Sequence, residues 1–468
     1  MRKTMVGPRI RQLRRERKQT QAEMAQALGV STAYVNLLEN NQRSLSVQML
    51  MALANAYSVD WRDLVNDETV NRLADIRNAL RDPIFGTDQP DLQELRSAID
   101  HAPLFVEQFL RLYQSHRTAL EKIMRVGSAR MPDGLLLSSP ETVIHDFFRN
   151  HSNYFGALEK AAEKLRAAEP CNADDVYAKL KARLLGSHGI TVEIAALDDM
   201  SEGLRFYDEE AAVVHLSEAL DHQNRTFQLA HVLCLVELPK VLQRLTASIG
   251  IGSQAGIARC HIELANYFAA AYLMPYGPFH AAAERTNYDV DRLAATFGVS
   301  FEQVCHRLTT LQREGAKGVP FFFLRVDKAG NVTKRFNATS FNLAEYGGAC
   351  PVWNVHTAFQ TPGLIIPQFV EMPDGDRFFT ISRTTDRPVF SRSTQDRRLA
   401  VALGCELQHA HRIGYTAAFN MLDNELFSRI GINCHLCPRQ ACSQRAHQPF
   451  HIELPISTKR RGNTRYES

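Results

Sequence analysis

The hydrophobic pattern of the first 60 residues predicts a series of short amphipathic helices. Ile10 and Leu13 fall on one face of "VGPRIRQLRRERK", and arginines occupy the other face. In the next segment, "TQAEMAQALG", Thr20 and Glu23 form the sequence signature of a capping box, and Gly29 stands where a left-handed residue commonly ends a helix. These features predict two helices separated by a short turn.

A third short helix follows directly. Ser31 has the character of an N-cap residue, with Val35 and Leu38 turned inward. Two short helices joined by a tight, glycine-containing turn are typical of a helix-turn-helix. Residues 1–43 hold nine Lys or Arg against three Glu, which indicates a polyanionic partner. A solvated basic face, or a helix-turn-helix used for protein contacts, is the alternative.

In the remainder of the chain the hydrophobic pattern alternates between the period of a helix and that of a strand. A helical pattern continues over residues 69–125, and "VGSARMPDGLLLSSP" is the best linker candidate. Further helices follow, then three short alternating segments ("GITVEIAAL", "GLRFYDEE" and "AAVVHLS") that predict a small sheet, and then two more helices. The last third combines a hairpin in "VPFFFLRVDKAGNVTKRFNA" with a strand in "DRFFTISRTT".

These patterns predict a multidomain chain with an all-α N-terminal domain, a mainly helical α/β central domain and a small α+β C-terminal domain. We place the domains at 1–68 (DNA binding), 69–138 (helical connector or dimerisation segment), 139–318 (central domain) and 319–468 (C-terminal domain).

Composition narrows the class of protein. The chain has 468 residues, of which 45% are hydrophobic and 22% are charged, as in ordinary globular proteins. It has no apolar run near the roughly 20 residues needed to cross a bilayer, and its N-terminus lacks the pattern of a signal peptide. We therefore expect a cytoplasmic protein without a membrane partner. Nine cysteines in so long a chain do not form a small disulfide framework.

Three of those cysteines, Cys434, Cys437 and Cys442, lie close together in "GINCHLCPRQACSQRAH". With His447 as the fourth ligand, the spacing would suit a structural zinc. A four-iron cluster needs four cysteines, and either Cys350 in "GGACPVW" or Cys405 is a candidate for the fourth. The residues alone leave zinc, iron–sulfur and no metal open.

The stretch 6–66 resembles the phage-repressor (XRE-type) DNA-binding domain through "TQAEMAQALGVSTAYVNLLENNQR". The resemblance implies base contacts from the third helix and phosphate contacts around it. The implied base-contacting residues are Thr32, Ala33, Tyr34 and Asn36, and the implied phosphate-contacting residues are Gln21, Asn40 and Arg43, with Arg11 and Arg14 as further candidates. Such domains read palindromic double-stranded operators as dimers, so a homo-dimer or tetramer is implied.

The central domain is similar to the ImmA/IrrE-type metallopeptidases, whose working members need H-E-x-x-H for zinc and a general base. Here His231 stands at the first ligand, but Val232 replaces the base and Leu235 replaces the second histidine. Leu264 stands where the third ligand would precede "AN". We therefore expect a degenerate metallopeptidase fold without peptidase activity, and a cleft that can still take a ligand.

Taken together, these modules with "GGACPVWNVHTAF", "LGCELQHAHRIGY" and "CHLCPRQACSQRA" resemble the short-chain fatty acyl-CoA-responsive regulators, bacterial transcription factors of propionate, methylcitrate and glyoxylate-cycle genes. The resemblance implies a non-enzymatic regulator with an acyl-CoA effector. It also implies an iron–sulfur cluster, of the 4Fe-4S type, on the C-terminal cysteines, for which we assign Cys434, Cys437, Cys442 and Cys350.

Coenzyme A would need cationic side chains for its phosphates and an aromatic face for its adenine. The central domain offers such residues, and we single out Tyr154, Arg205, Arg225 and Tyr267 as effector-binding candidates. Two alternative functions stay open: a regulatory zinc peptidase fused to a helix-turn-helix, and a repressor with a purely structural C-terminal zinc.

Overall fold

The computed structural model divides the chain into two compact units, Met1–Leu136 and Leu137–Ser468. It describes residues 7–40, 42–43, 45–57, 69–85, 89–126, 140–200, 202–247, 249, 253–341, 350–389, 397–421 and 423–449, and beyond these 452–454, 456, 459, 462–464 and 466. The predicted linker at residues 127–139 lies outside the described residues.

The first unit begins with four short helices, as their patterns predict. They are α1 (Gly7–Glu16), α2 (Gln21–Leu28), α3 (Thr32–Glu39) and α4 (Val47–Tyr57). The predicted caps are confirmed, because Thr20 and Glu23 form a capping box and the side chain of Ser31 accepts from the N–H of Tyr34. Gly29 ends α2 with φ +66°, a left-handed conformation that needs no Cβ.

The described residues of this unit form three further helices: α5 (Thr69–Leu80), α6 (Leu92–His101) and α7 (Pro103–Val126). Asp91 caps α6 by accepting from the N–H groups of Gln93 and Glu94. The buried apolar cluster of this group is small and consists of Ile76, Leu95, Ile99 and Val106.

The second unit opens with a helical layer around a small sheet. Its helices are α8 (Pro140–Asn150), α9 (Gly156–Ala168), α10 (Val176–His188), α11 (Leu197–Met200), α12 (His222–Glu237), α13 (Pro239–Thr246), α14 (Gln254–Leu273), α15 (Tyr276–Arg285), α16 (Val290–Phe297) and α17 (Phe301–Leu308). The sheet has the order β1–β3–β2, from β1 (Thr191–Ala195), β2 (Arg205–Asp208) and β3 (Val213–Ser217). The strand β3 runs parallel to β1 and antiparallel to β2.

A six-stranded sheet follows with the order β5–β4–β8–β7–β6–β9. Its strands are β4 (Phe322–Asp327), β5 (Val332–Asn337), β6 (Ile366–Glu371), β7 (Arg377–Thr385), β8 (Leu399–Glu406) and β9 (Phe427–Arg429). All its pairs are antiparallel except β6 with β9. The central strands β7 and β8 are buried over most of their length, because both faces of the sheet are covered.

The helical layer and the six-stranded sheet share one hydrophobic core. Phe323, Phe336 and Phe379 from the sheet belong to the same buried cluster as Phe148 of α8 and Val304 of α17. The opposite face of the sheet packs on a second, smaller cluster around Trp353. Residues on the two sides of the boundary predicted at 318/319 therefore share one buried core, and the compact unit Leu137–Ser468 contains both predicted domains.

A buried ion pair lies within this shared unit. Arg307 of α17 donates to Glu159 of α9 at 2.5 and 3.0 Å, and both side chains are fully buried. The hydroxyl of Tyr267 also donates to Glu159, at 2.6 Å, and Arg307 donates to the carbonyl of Met274 at 3.0 Å. Hydrogen bonds thus satisfy the charges that burial would otherwise penalise.

Candidate functional site

The helix α3 presents the side chains expected of a recognition helix. Thr32, Ala33 and Asn36 are exposed, while Val35 and Leu38 on the opposite face are buried against α1, α2 and α4. The half-buried ring of Tyr34 lies under the guanidinium of Arg43, 4.9 Å from its centroid. The side chains implied for base contacts therefore stand on one accessible surface.

Glu39, at the end of α3, organises the surrounding residues and was not singled out from the sequence. Its carboxylate is buried and accepts hydrogen bonds from Arg14 at 2.6 and 3.1 Å and from Gln21 at 2.8 Å. Burial opposes its ionisation, but the hydrogen bonds from Arg14 and Gln21 outweigh burial and lower the pKa of Glu39. One carboxylate thus joins α1, α2 and α3.

Two arginines proposed as phosphate contacts are engaged within the domain. Arg14 also donates to the carbonyl of Gln19 at 2.9 Å, so all three of its nitrogens have partners and its side chain is mostly buried. This geometry favours a structural role for Arg14 over the predicted phosphate contact. Arg11 donates to the side chain of Asn40 and to the carbonyl of Glu39, and stays more exposed.

The degenerate metal position lies between α12 and α14. His231 is buried, and its Nδ1 lies 2.9 Å from Oδ1 of Asn266 on α14. Its Nε2 has no hydrogen-bond partner among the described residues. Val232 and Leu264 pack in the hydrophobic core, so the expected absence of the base and of the third ligand at these positions agrees with their environment.

The carboxylate nearest to His231 on α14 comes from Glu263, which the sequence did not indicate. It lies 3.5 Å from Nζ of Lys334 on β5 and 3.3 Å from Arg259. Burial raises the pKa of Glu263, but Lys334 and Arg259 more than compensate and keep it low. The position is therefore an ion-paired polar patch, and burial with the nearby Arg205 charge lowers the pKa of His231 to about 4.

A cleft of about 530 Å³ opens between the segment before β2, the β4–β5 turn and the β7–β8 connection. Its wall is rich in cations, with two acids and several apolar side chains. The lining includes Lys328, Arg387, Arg397 and Arg398, the acids Glu202 and Asp327, and the apolar Leu204, Pro388 and Leu399. Three distant segments of the chain contribute, which is why the sequence did not reveal this cleft.

Ion pairs cross or border the cleft. Arg397 forms a two-pronged ion pair with Glu202 at 2.9 and 3.0 Å, and Arg398 pairs with Asp386 at 2.9 Å. Burial, together with the nearby charge of Arg325, lowers the pKa of Arg387. An anionic ligand would relieve this unfavourable field at Arg387.

The four effector candidates from the sequence do not converge on this cleft. Tyr267 is fully buried and belongs to the Glu159 network, so the structure places it in the core rather than in a ligand site. Tyr154 accepts a hydrogen bond from Arg313 at 3.1 Å. Arg225 donates to the carbonyl of Glu218 at 2.9 Å, but its Nε has no partner among the described residues.

Arg205 is the one of these four that follows directly on a cleft residue, Leu204. Burial lowers its pKa to about 10, and its Nη1 has no hydrogen-bond partner in the described part of the chain. A buried cation with an unused donor is suited to an anionic or carbonyl ligand.

The cysteine loop follows β9 and lies beside Cys350. The backbone N–H groups of Gly431 and Val352 donate to Cys350; burial nevertheless raises the pKa of this thiol, and the neighbouring Cys437 and Cys434 add to the rise. None of the nine cysteines is in a disulfide. Three thiols thus lie within electrostatic range of one another, with backbone N–H groups directed at one sulfur.

Gly431 keeps the backbone close to Cys437, because a Cβ at this position would stand 2.7 Å from its Sγ. Arg445 is buried under the loop and donates to the carbonyls of Cys434 and His447, each at 3.4 Å. Within the described residues, no group of three His, Cys, Asp or Glu side chains is arranged to hold a metal ion. The thiols suit a thiolate-bound group. The iron–sulfur ligands (Cys434, Cys437, Cys442 and Cys350) and the zinc ligands (the three loop cysteines with His447) both stay predictions.

Comparison with protein families matches three parts of the chain. A helix-turn-helix model matches residues 10–64, and a model of the IrrE N-terminal-like domain matches 185–309. A model of the C-terminal domain of the short-chain fatty acyl coenzyme A regulators matches 310–466. No helix in the described part of the chain has the length and apolar character needed to span a membrane.

Characterised relatives align over almost the whole chain. The propionyl-CoA carboxylase regulator of Cereibacter sphaeroides is 39% identical and covers 99% of both chains. The Mycobacterium tuberculosis regulators RamB and PrpR are 34% and 35% identical, covering 98% and 95% of this chain and 98% and 92% of their own.

A solved structure agrees with these matches. It is described as a Mycobacterium tuberculosis transcriptional regulator and is 36% identical, with a TM-score of 0.67 over 71% of this chain and 100% of that one. Since the similarity to the relatives exceeds 30% identity over nearly the full length, the chain belongs to the family of short-chain fatty acyl-coenzyme A regulators, with a DNA-binding helix-turn-helix at its N-terminus.

Proposed function

We propose that this chain controls transcription of genes for short-chain acyl-CoA metabolism, with an acyl-CoA as effector. The observation that carries the proposal is the cationic cleft, which is lined mainly by the C-terminal region and bordered by Glu202 and Leu204 of the peptidase-like domain that lacks the zinc ligands. The relatives support it, because one is named as a regulator of propionyl-CoA carboxylase. The chain would act on DNA as a homo-dimer or tetramer bound to a palindromic operator.

The cleft matches the chemistry of an acyl-CoA at both ends. Arg387 and Lys328 would attract the phosphates, and Arg397 would exchange its pairing with Glu202 for an anionic oxygen. Leu204 and Leu399 offer apolar contacts to the acyl and pantetheine parts. Arg205, with its unused donor, would serve the part of the ligand closest to His231.

Calorimetric titration of the full chain with propionyl-CoA tests this proposal. We expect heat of binding, and we expect Arg387→Ala to weaken binding about tenfold or more, since it removes a half-buried cation from the cleft. Arg429→Ala is the matched control, because this arginine is exposed and lies on β9 outside the cleft. The proposal fails if propionyl-CoA, acetyl-CoA and butyryl-CoA all give no heat.

We further propose that Cys434, Cys437, Cys442 and Cys350 hold an iron–sulfur cluster. The fit rests on unpaired thiols, backbone N–H donors at Cys350 and the close backbone approach that Gly431 allows. When bound, the cluster would link the cysteine loop to Cys350, and this link would be either redox-sensitive or stabilising. A structural zinc on three of these cysteines and His447 is the alternative.

A further inference from the structure

Helix α7 carries a heptad repeat. Uncharged, mostly apolar side chains recur at alternating spacings of four and three residues, at Phe105, Phe109, Leu112, His116, Ala119, Ile123 and Val126. This 3.5-residue period is the pattern of a coiled-coil seam, in which each side chain inserts between residues of a facing helix. We call these positions the α7 seam.

Up to Ala119, where the structure describes the side chains, the α7 seam is not the face that packs in the small apolar cluster of its unit. Val106 and Leu110 pack in the small cluster with α5 and α6, and Tyr113 donates to Asp82 at 2.9 Å. Phe105 and Leu112 of the seam are each 70% exposed. The helix therefore has two apolar faces, of which the described contacts of the unit fully cover one.

Phe109 lies between the two faces, with its ring 5.6 Å from that of Phe85. The seam is thus continuous with the folded unit rather than a frayed end. A helix of 24 residues is about 36 Å long, enough for three heptads of pairing. Exposed apolar surface of this length on one helix usually marks an interaction site.

The small core of α5–α7 also calls for a partner. Among the described residues, its cluster buries four apolar side chains fully, and so small a core stabilises a helical group poorly by itself. Pairing of α7 with a further helix would remove additional apolar surface of this group from water. The small core needs further apolar burial, and the exposed α7 seam is the surface that could provide it.

We propose that the α7 seam pairs with the α7 seam of a second copy of this chain. A heptad seam is self-complementary, so two copies related by a two-fold axis present matching surfaces. The seam positions carry no Asp, Glu, Lys or Arg. Of the three positions that directly precede Phe109, His116 and Ile123, Gln108 and Ser115 are uncharged and Lys122 is a cation, so like-charge repulsion between two copies would be confined to the end of the helix that carries Lys122. The inference rests on the proposed function in one respect: paired half-sites need a dimer.

Light scattering of the full chain tests the pairing. We expect a wild-type dimer, and we expect Leu112→Glu to raise the dimer dissociation constant about tenfold or more, because pairing would bury its charge. Leu104→Glu is the matched control: Leu104 is 65% exposed on the same helix but lies off the seam. A wild-type monomer, or an unchanged dimer in Leu112→Glu, would overturn the proposal.

Charge-swap mixtures guard against mere misfolding of the variant. In a parallel pair, Leu112→Glu chains mixed with Leu112→Lys chains should regain the dimer. In an antiparallel pair, the seams align with Leu112 of one copy opposite His116 of the other, so Leu112→Glu chains should instead regain the dimer with His116→Lys chains. Recovery in either mixture supports direct seam pairing and gives its direction, while recovery in neither overturns it.

The two proposals can fail separately. DNA binding is measured with an operator selected from random duplexes by the full chain. If the wild type dimerises through the seam but selects no DNA, the proposed function fails and the seam stands. If it binds DNA as a dimer that Leu112→Glu does not weaken, the seam is wrong and the proposed function stands.

Discussion

Single residues far apart in the chain hold the helix-turn-helix together. Glu39 receives Arg14 from 25 positions away and Gln21 from 18 positions away. Hydrogen bonds between a carboxylate and a charged donor are stronger than neutral ones, and burial increases the cost of removing either partner. Glu39 therefore fixes the angle at which α3 is presented, although it need not touch DNA itself.

Replacement of Glu39 by Gln should destabilise α1–α4 by about 1.5–3 kcal/mol at neutral pH, because Arg14 loses its anionic partner. Folding lowers the pKa of Glu39 below its ordinary value of 4.5. Its contribution is therefore complete above that pH and is lost as the pH falls through the lowered value. Hydrogen exchange of the α1–α4 amides, at neutral pH and at a pH below the lowered pKa of Glu39, measures the difference in stability between wild type and variant.

Glu107→Gln, an exposed acid of the same unit, is the control for this measurement. The opening free energy should be unchanged in the control at both pH values. An equal loss of protection in the two variants would show that the Glu39 pairing contributes nothing particular to the domain.

The cysteine loop gives a second prediction at the level of residues. Chain purified without air should be brown and contain iron and sulfide, and Cys437→Ser should lose both, because the mutation removes a thiolate ligand. Cys171→Ser, which alters a thiol outside the loop, should keep the colour. His447→Ala separates the alternatives: it should spare an iron–sulfur cluster but release a zinc. Colourless protein with one zinc per chain would refute the cluster.

Among the elements, α3 shows how helix caps set by the local sequence determine which side chains form the expected DNA-binding surface. Ser31 starts the helix and Gly29 sets the turn before it, so the sequence fixes where α3 begins. The side chain of Asn40 then donates to that of Asn36 at 2.8 Å, which orders an exposed polar group on the expected DNA face. Base contact and phosphate contact should therefore be separable by mutation.

Arg43→Ala should weaken binding to all operator variants alike and reduce the slope of log affinity against log salt by about 0.9, since one phosphate contact is lost. Asn36→Ala should instead cost about 1–3 kcal/mol on the preferred sequence only. Fluorescence anisotropy over a salt series distinguishes the two, with the exposed Gln26→Ala as control. An unchanged salt slope in Arg43→Ala would exclude Arg43 from the phosphate contacts.

At the scale of the whole molecule, the helices and the six-stranded sheet of Leu137–Ser468 share one hydrophobic core, so we expect them to fold together. The rings of His306 and Phe336 lie 4.3 Å apart, and Arg325 on β4 pairs with Glu302 on α17 at 2.6 Å. The cleft is lined by the segment before β2 and by the ends of β4 and β8, so a ligand bound there would contact both sides of this unit. By linkage, an effector that alters DNA affinity must have its own affinity altered equally by DNA.

A fragment of residues 137–318 should consequently fail to fold, whereas residues 137–468 should unfold in one cooperative transition. The shorter fragment loses the sheet that covers Val304 and Phe148, and would expose much of the shared core. Circular dichroism during heating distinguishes the two fragments. A cooperative transition in the shorter fragment would mean that the peptidase-like layer is stable without the sheet.

The sequence by itself determined whatever depends on neighbours a few residues apart. The caps at Thr20 and Ser31, the left-handed Gly29 and the inward positions Val35 and Leu38 were all readable, because helix starts and stops are local hydrogen-bonding events. The lost zinc ligands were readable for the same reason, since H-E-x-x-H spans little more than one helical turn.

Only the tertiary structure decided the contacts between distant segments. Glu159 and Arg307, 148 positions apart, form an ion pair, and Tyr267 donates a hydrogen bond to the same carboxylate. The cleft is lined by three separate segments of the chain. The tertiary structure also formed β8 from "LAVALGCE", a segment for which we predicted no strand. Strand pairing and ion pairing of this kind depend on which surfaces meet after the chain closes, and local periodicity carries no record of that closure.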